Sequence, residues 1–364
     1  GICVTASHNP MDYNGMKMVR AGSAPLDAAS GLAKIKALAE ENAFGPARCG
    51  ATAVNVAHDA REAYVNRVTS FIDMTALRPL KILVNAGHGT AGPTFDAIAD
   101  HLVAAGAPLT FEKVFHAPDG TFPQGIPNPL LLENRPATAQ AVREAGADFG
   151  VAWDGDFDRC FFFDHTGTFI DGEYVIGLLA EVFLAKSPGE TIIHDPRIIW
   201  NTQDIVARAG GQAVQTRTGH AFIKQAMRDE NAIYGGEMSA HHYFRDFVYC
   251  DSGMIPWLLI AELVSRNGPL ADLVAKQKAA FPSSGEINFT LPDPGAAIAR
   301  VRAEFAPKAL SVDEMDGLGF DLGDWRFNIR SSNTEPVVRL NVEARGQDDL
   351  VAAGVARLQA ILTA

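Results

Sequence analysis

Residues 80–92 read LKILVNAGHGTAG, and this stretch decides the class of fold. Leu80–Asn85 is a short apolar run typical of a buried strand. The glycine-rich segment Gly87–Gly92 predicts a tight turn, and the apolar spacing that follows predicts a helix over Thr94–Ala105. A second strand is predicted at Leu109–Val114. This order of elements indicates a parallel or mixed sheet with helices packed on it.

The same alternation continues towards the carboxyl end. It predicts helices over Ala137–Ala145, Glu173–Ala185, Asn201–Ala209 and Ala221–Arg228, and strands over Asp148–Trp153, Thr191–His194, Ala213–Thr216 and Ala232–Tyr234. The final part differs, because its strands outnumber its helices. It predicts strands over Gly285–Leu291, Gly319–Arg330 and Val337–Ala344, and helices over Gly295–Phe305 and Asp348–Leu362.

These patterns predict an α/β protein of successive α/β domains with mixed sheets between helices, followed by an α+β domain. The expected domains are residues 1–58, 59–170, 171–280 and 281–364, with a linker at Phe281–Gly285 before the last one. The chain opens with GICVT, a strand-like run without a preceding partner. We therefore expect that the amino-terminal part of the first domain is missing.

Composition excludes several classes of protein. The chain has 364 residues, 47% of them hydrophobic and 20% charged, as in an ordinary globular protein. With 31 Lys and Arg against 43 Asp and Glu, the net charge of −12 argues against general binding of nucleic acid or anionic membranes. The longest apolar run, Met254–Leu263, is too short to cross a bilayer. Widely spaced cysteines and the lack of a recognisable export signal favour a cytoplasmic location.

The sharpest local signal is the segment DGDFDR, which follows a predicted buried strand. Asp154, Asp156 and Asp158 alternate along it, so their carboxylates can converge on one hard cation such as Mg²⁺, Ca²⁺ or Mn²⁺. An EF-hand is excluded because the sixth position is Arg159 and the twelfth is His165. An acidic turn that caps a helix is the alternative. Repulsion between three close carboxylates favours the metal, with a position left open for a phosphate oxygen.

A second signal is TASHNP, followed by YNGMK. Ser7 lies on a loop after a strand, beside His8 and with Lys17 ten residues on, so it is a candidate nucleophile or phosphoryl carrier. Taken alone this signal is weak, since serine, histidine and asparagine often mark an ordinary turn.

A third signal is GGEMSAHH at the end of a predicted strand. Glu237, Ser239 and His241 alternate along it and would share one face of an extended segment, a set suited to sugar hydroxyls. A zinc site is less favoured because HExxH is absent, and a buried polar cluster remains possible on this pattern.

The fourth signal is RSSNTEP, between two predicted strands of the last domain. Arg330, Ser332, Asn333 and Thr334 would form a phosphate cradle, with a polar hairpin as the alternative. The GxGxxG pattern at Gly87–Gly92, with Glu112 twenty residues after Gly92, also matches a dinucleotide fingerprint. We do not favour nicotinamide binding, because no obvious hydride-transfer partner accompanies the pattern.

Together, TASHNP with DYNGMK, DGDFDR, GEMSAHHYF and RSSNTEP in this order resemble the α-D-phosphohexomutase superfamily, most closely its bacterial phosphomannomutase/phosphoglucomutase branch. The resemblance implies that Ser7 carries the phosphoryl group and completes the Mg²⁺ sphere of Asp154, Asp156 and Asp158. It implies that His8 and Arg159 steady that phosphate. The remaining implied roles are proton exchange by Lys17, sugar binding by Glu237, Ser239 and His241, clamping of the distal phosphate by Arg330, Ser332, Asn333 and Thr334, and substrate contacts by His220 and Arg197.

The implied activity is interconversion of mannose 6-phosphate and mannose 1-phosphate through a hexose 1,6-bisphosphate, with glucose phosphates as further substrates. Glucose 1,6-bisphosphate or mannose 1,6-bisphosphate would serve as activator. The expected partners are small hexose phosphates, without nucleic acid or membrane, for a monomer or homodimer. Alternatives are a phosphoglucomutase as the main activity, a metal-dependent phosphatase, and a non-catalytic sugar-phosphate binder if the chain is truly truncated.

Overall fold

The computed structural model describes residues 1–26, 31–45, 59–331 and 337–364. The described parts form an amino-terminal hairpin and three five-stranded sheets. The first two of these sheets are mixed and the third is antiparallel, which confirms the predicted fold class. None of the described helices is long and apolar enough to cross a membrane.

The amino-terminal part is small and exposed. Strands β1 (Ile2–Val4) and β2 (Met16–Met18) pair as an antiparallel hairpin, with Cys3 opposite Lys17. Helix α1 (Ala33–Glu40) follows. Because the loop between β1 and β2 carries the serine motif, the hairpin brings Ser7 and Lys17 to the same end of this unit.

The first five-stranded sheet has the strand order β4-β3-β5-β6-β7. Its strands are β3 (Leu80–Asn85), β4 (Leu109–Val114), β5 (Phe149–Trp153), β6 (Cys160–Asp164) and β7 (Phe169–Ile170), and its helices are α2 (Arg61–Thr69), α3 (Ala91–Ala104) and α4 (Arg135–Ala145). Strand β3 is parallel to β4 and β5, whereas β6 returns antiparallel to β5. The acidic motif is therefore the turn between β5 and β6.

The second five-stranded sheet has the order β12-β11-β10-β8-β9. Its strands are β8 (Thr191–His194), β9 (Gln212–Gln215), β10 (Tyr234–Gly236), β11 (His242–Phe244) and β12 (Cys250–Asp251), and the helices around it are α5 (Gly172–Lys186), α6 (Trp200–Arg208), α7 (His220–Asp229), α8 (Met254–Asn267) and α9 (Leu270–Ala280). Strands β8, β9 and β10 are parallel, and β11 and β12 are added antiparallel. The GEMSAHH motif is the turn between β10 and β11.

The third five-stranded sheet is antiparallel throughout, in the order β13-β17-β16-β15-β14. It consists of β13 (Ser283–Thr290), β14 (Ser311–Asp313), β15 (Leu318–Asp321), β16 (Trp325–Ser331) and β17 (Val337–Ala344), with α10 (Pro294–Phe305) and α11 (Asp348–Leu362). The single strand predicted over Gly319–Arg330 is wrong: it is the β15–β16 hairpin. Gly323, with φ of +90°, makes its turn.

The described residues form four hydrophobic clusters. One contains residues between Val65 and Val274 and lies under both mixed sheets, two smaller ones lie around Leu83 and Ile193, and the third sheet has its own core with α10 and α11. A buried ion pair within the third sheet, between Arg326 and Glu343, faces the start of α6, and its atoms Nη1 and Oε1 are 2.6 Å apart. Glu343 also accepts hydrogen bonds from the amides of Ile199 and Trp200 at the start of α6, at 2.8 and 3.0 Å.

Candidate active site

The acidic turn between β5 and β6 lies at the carboxyl end of a buried strand. Asp154 is fully buried, and Asp156 and Asp158 are partly exposed at the same turn. The turn is held by its own backbone: Phe157 has φ of +48°, and its amide donates to the carbonyl of Asp154 at 3.2 Å. This geometry directs the three carboxylates to one place, where their ligand oxygens lie within 4.8 Å of one another.

The serine loop lies directly on this turn. Ser7, itself in the left-handed region with φ of +54°, places its Oγ 3.2 Å from Oδ2 of Asp154. Thr5 donates from its hydroxyl to Oδ2 of Asp156 at 2.8 Å. The approach requires glycine at position 155, because a Cβ there would lie 2.3 Å from the carbonyl oxygen of Ser7. Two motifs almost 150 residues apart therefore form one site.

The donor set of this turn fits a divalent cation. Oδ1 of Asp156 and Oδ1 of Asp158 are buried and accept no hydrogen bond from any described residue. Burial and the neighbouring charge of Asp158 raise the pKa of Asp154, as expected where negative charge lacks full compensation. Oxygen-only ligands are those that Mg²⁺, Ca²⁺ and Mn²⁺ prefer. A metal ion among Asp154, Asp156 and Asp158 is consistent with these observations.

His8 and Arg159 surround the hydroxyl of Ser7. Nδ1 of His8 lies 3.0 Å from Oγ of Ser7 and accepts from Nη2 of Arg159, also at 3.0 Å. Burial and the charge of Arg159 lower the pKa of His8 to about 4, so the ring is neutral near pH 7. Arg159 also lies 3.5 Å from Asp154 through its Nε. These contacts bring together all the residues predicted around the transferring phosphate.

Lys17 reaches the same turn from β2. Its Nζ donates to Oδ2 of Asp156 at 3.0 Å and forms a shorter contact with Asp158. Burial opposes its charge, but the carboxylates of Asp158 and Asp156 dominate and raise the pKa of Lys17 above its usual range. In this arrangement Lys17 is a fixed cation, and its predicted exchange of a proton with the sugar stays a prediction.

The GEMSAHH turn places Glu237 and Ser239 beside each other. Glu237 is buried, and its Oε1 accepts from the amide of Gly219 at 2.6 Å. Its Oε2 accepts from the hydroxyls of Ser239 and Tyr243, each at 3.4 Å. These long contacts leave the carboxylate able to take a stronger donor such as a sugar hydroxyl. Sugar binding by this pair stays a prediction.

His241 and His220 converge on Asp251, a residue that the sequence motifs did not indicate. Their ring centroids are 4.2 Å apart, and Nδ1 of each ring lies 3.3 Å from Oδ2 of Asp251. Burial lowers the pKa of His220. Burial also disfavours charge on His241, but the nearby carboxylates of Asp251 and Asp158 raise its pKa.

The other nitrogen of the His241 ring, Nε2, accepts from Nε of Arg159 at 3.1 Å. A proton on Nε2 would face this N–H group, so the geometry favours a ring with one proton, on Nδ1. No signal in the sequence indicated Asp251, because it depends on the pairing of β12 with β11, which places Asp251 opposite Tyr243.

The opposite side of the site is rich in arginine. Arg197 is buried and donates twice to Oδ2 of Asp195, from Nε at 3.1 Å and from Nη2 at 2.6 Å. Its Nη1 lies 3.5 Å from Glu286, which also pairs with Arg330 at 3.4 Å and lies 3.9 Å from Arg339. Sequence reasoning missed Glu286. The predicted cradle residues Ser332, Asn333 and Thr334 lie outside the described residues.

A cavity of about 420 Å³ is lined by some of these groups. His8 and Arg159 line it on one side, Ser239 and Arg197 on another, and Arg339 on the third sheet. The cavity therefore takes side chains from the amino-terminal unit and from all three larger sheets. It is wide enough for a small sugar phosphate, and its lining combines four arginines with three carboxylates and several apolar side chains.

Family models match the chain in four segments. They are described as phosphoglucomutase/phosphomannomutase alpha/beta/alpha domain I at residues 1–46, domain II at 62–167, domain III at 171–281 and the C-terminal domain at 286–360. The chain belongs to the phosphoglucomutase/phosphomannomutase family.

Individual relatives agree with this assignment. The chain is 59% identical over 354 residues to a phosphomannomutase of Salmonella montevideo, covering 97% of this chain and 78% of that protein. It is 56% identical over 363 residues to a phosphomannomutase of Escherichia coli K12, covering 100% of this chain and 80% of that protein.

A solved structure of a phosphoglucomutase/phosphomannomutase family protein from Burkholderia thailandensis has the same fold. Its TM-score is 0.82 at 32% identity, covering 99% of this chain and 75% of that one. The expectation that part of the first domain is missing finds no support in the match to domain I at residues 1–46.

Proposed function

We propose that this protein is a phosphomannomutase that interconverts mannose 6-phosphate and mannose 1-phosphate and also accepts glucose phosphates. The relatives named phosphomannomutase support this substrate class. The observation that carries the proposal is the contact between Oγ of Ser7 and the acidic turn at 3.2 Å, with Arg159 and His8 around it. This arrangement suits phosphoryl transfer, which depends on positioning and on neutralisation of charge.

The reaction uses Ser7 as the phosphoryl carrier. Phosphorylated Ser7 gives its phosphoryl group to the free hydroxyl of a hexose monophosphate. The bond from phosphorus to Oγ breaks and the bond to the sugar oxygen forms, the hydroxyl proton leaves to a neighbouring base, and Oγ takes up a proton, which leaves a hexose 1,6-bisphosphate and free Ser7. The bisphosphate turns end for end and returns its other phosphoryl group to Oγ. Glu237 and Ser239 bind sugar hydroxyls in either orientation, and Arg330 with Ser332, Asn333 and Thr334 binds the phosphate that does not react.

Charge in the site is balanced by the chain and by a cation. Asp154, Asp156 and Asp158 would hold Mg²⁺ together with an oxygen of phosphorylated Ser7, where it neutralises charge on the transferring group. Arg159 donates to that group from the other side. Lys17 exchanges a proton with the sugar hydroxyl, and since its Nζ lies on Asp156 and Asp158, it must first leave these carboxylates.

A coupled assay with mannose 1-phosphate, Mg²⁺ and a trace of glucose 1,6-bisphosphate tests the proposal. We expect mannose 6-phosphate to form, and Ser7→Ala to lose on the order of 1,000-fold or more in rate, as with other removed nucleophiles. Ser70→Ala, at the exposed end of α2, is the matched control and should keep full rate. Mass spectrometry of the purified protein should find the phosphate on the peptide with Ser7.

The other outcomes identify the alternatives. Release of inorganic phosphate without a need for bisphosphate would indicate a phosphatase, and saturable binding without turnover would indicate a sugar-phosphate binder. A higher kcat/KM for glucose 1-phosphate would indicate a phosphoglucomutase. Chelation of Mg²⁺ should stop the reaction, and its return should restore it. A cytoplasmic location and a monomeric or homodimeric state stay predictions from the sequence.

A further inference from the structure

Asp251 lies at the end of β12 and is mostly buried, with its side chain 13% exposed. Its Oδ2 lies 3.3 Å from Nδ1 of His220 and 3.3 Å from Nδ1 of His241. Neither contact has the geometry of a hydrogen bond, so the carboxylate acts on the two rings by its charge, which favours a proton on the nitrogen that faces it. One carboxylate therefore faces two imidazoles of the candidate site.

The far side of the His241 ring determines which nitrogen carries the proton. Nε2 of His241 lies 3.1 Å from Nε of Arg159. A guanidinium only donates, so Nε2 must be the acceptor and the ring proton belongs on Nδ1, facing Asp251. The carboxylate thus selects the tautomer that allows His241 to accept from Arg159.

Arg159 also contacts His8, which lies beside the hydroxyl of Ser7. Its Nη2 donates to Nδ1 of His8 at 3.0 Å. Nδ1 of His8 in turn lies 3.0 Å from Oγ of Ser7. Close polar contacts thus lead from β12 of the second sheet, through His241, Arg159 and His8, to the hydroxyl on the amino-terminal loop. The side chain of Arg159 is 12% exposed, so little water is available to replace a lost partner.

We propose that Asp251 is a positioning residue for phosphoryl transfer, which acts through His241 to aim the guanidinium of Arg159 at the phosphoryl group on Ser7. The inference rests on the proposed mutase function. Asp251 also lies 3.3 Å from Nδ1 of His220, so its charge acts on a second ring of the site. Carboxylate–histidine pairs orient ligands at metal sites by the same principle.

A metal site is the rival interpretation of this cluster. Ligand atoms of Asp158, His220, His241 and Asp251 all lie within 4.8 Å of one another. A metal bound at Nδ1 of His241 would need the lone pair there, which would move the ring proton to Nε2. That proton would then face the N–H of Arg159 at 3.1 Å. The positioning role avoids this conflict.

The tautomer can be measured without any assay of activity. Nitrogen-15 NMR of histidine-labelled, Mg²⁺-loaded wild-type protein, with the His241 signals assigned by their loss in His241→Gln, should show a neutral ring with the proton on Nδ1. A proton on Nε2, or an imidazolium, would overturn the proposal. This measurement remains decisive even if the protein has no mutase activity, so failure of the proposed function and failure of the inference can be told apart.

Kinetics test the route through His241. We expect Asp251→Asn to lower kcat by about 10- to 100-fold with a smaller change in KM, a range typical of groups that orient a ligand or catalytic residue. In His241→Gln the amide oxygen can take the place of Nε2 without help from a carboxylate. Adding Asp251→Asn to that variant should therefore lower kcat by less than it does in the wild type, with only the contact to His220 left to lose. Asp246→Asn, an exposed carboxylate on the same segment, is the control and should keep the wild-type rate.

Three results would contradict the proposal. The first is an unchanged kcat in Asp251→Asn, and the second is an undiminished further loss when this change is added to His241→Gln. The third is a Zn²⁺ site found by calorimetry in the wild-type protein that Asp251→Asn removes while kcat stays the same. If Asp251→Asn does not fold, the NMR measurement on the wild-type protein still tests the proposal. Asp251→Glu, which keeps the carboxylate, then replaces Asp251→Asn in the kinetic comparison.

Discussion

Replacing Gly155 by alanine tests whether the contact between the serine loop and the acidic turn sets the rate. The new Cβ would lie 2.3 Å from the carbonyl oxygen of Ser7, whereas ordinary contact begins at 3.4 Å, so the loops must separate by about 1.1 Å, the difference between these distances. Both close neighbours at Ser7 are backbone atoms, so no side chain can rotate away. Gly155 does not have a positive φ, and alanine can adopt its backbone conformation.

The magnitude follows from the displacement. A misplacement of about 1 Å between reacting groups costs on the order of 100-fold in rate. Stability should change less, because overpacking costs about 1–3 kcal/mol and these loops can separate without disturbing a core. We therefore expect kcat of Gly155→Ala in the coupled mutase assay to fall about 100-fold, with a small change in the unfolding midpoint.

Gly120→Ala is the matched control for this prediction. It lies in the same part of the chain, a Cβ there would meet nothing within 4 Å, and its φ is not positive. It should keep the wild-type rate. Wild-type kcat in Gly155→Ala, together with unchanged phosphorylation of Ser7, would refute the argument that this approach positions the serine.

Two further predictions concern stability. Arg326→Ala should lower the free energy of unfolding by about 3–5 kcal/mol in urea titrations, because it leaves the buried Glu343 without its ion-pair partner. Arg302→Ala, which breaks an exposed pair with Glu314, is the control and should cost about 1 kcal/mol or less. Equal losses in the two variants would contradict this prediction. Burial and the charge of Asp171 raise the pKa of Glu173 to about 8, so the folded protein favours the protonated carboxyl. The stability that this group contributes is fully present below the pKa of Glu173 in the unfolded chain and is lost as the pH rises through 8. Urea unfolding between pH 5 and 8 should therefore show a decline in stability that Glu173→Gln reduces and that Glu181→Gln, at an exposed position of the same helix, leaves unchanged; the same decline in both variants would exclude this role for Glu173.

The sequence predicted those parts of the site whose chemistry is local. The three aspartates share one turn, so their convergence follows from spacing alone, and the structure brings their oxygens within 4.8 Å. The strand over Leu80–Asn85 was predicted with its observed ends because a short apolar run between turn signals leaves little choice. Ser7 was a weaker candidate because its meaning depends on a partner almost 150 residues away.

What the sequence did not predict depends on strand pairing. Asp251 reaches the two histidines because β12 lies beside β11. Nothing in the segment Cys250–Gly253 itself indicates that β11 is its neighbour. Glu286 meets Arg197 from the loop after β8 and two arginines of the third sheet, so its spacing along the chain carries no signal. The β15–β16 hairpin was predicted as one strand because Asp321–Asp324 lacks proline and contains a single glycine, Gly323, as a turn signal.

The uneven distribution of hydrophobic cores has a consequence for engineering. Because one core lies under both mixed sheets, a cut between them would expose apolar surface on each fragment, and chimaeras joined there should be insoluble. The antiparallel sheet encloses its own core and is connected through a short segment near Pro282. Grafting the corresponding carboxyl-terminal portion of a relative at that junction would exchange Arg330 and Arg339 while leaving Arg197, the serine and its aspartates unaltered.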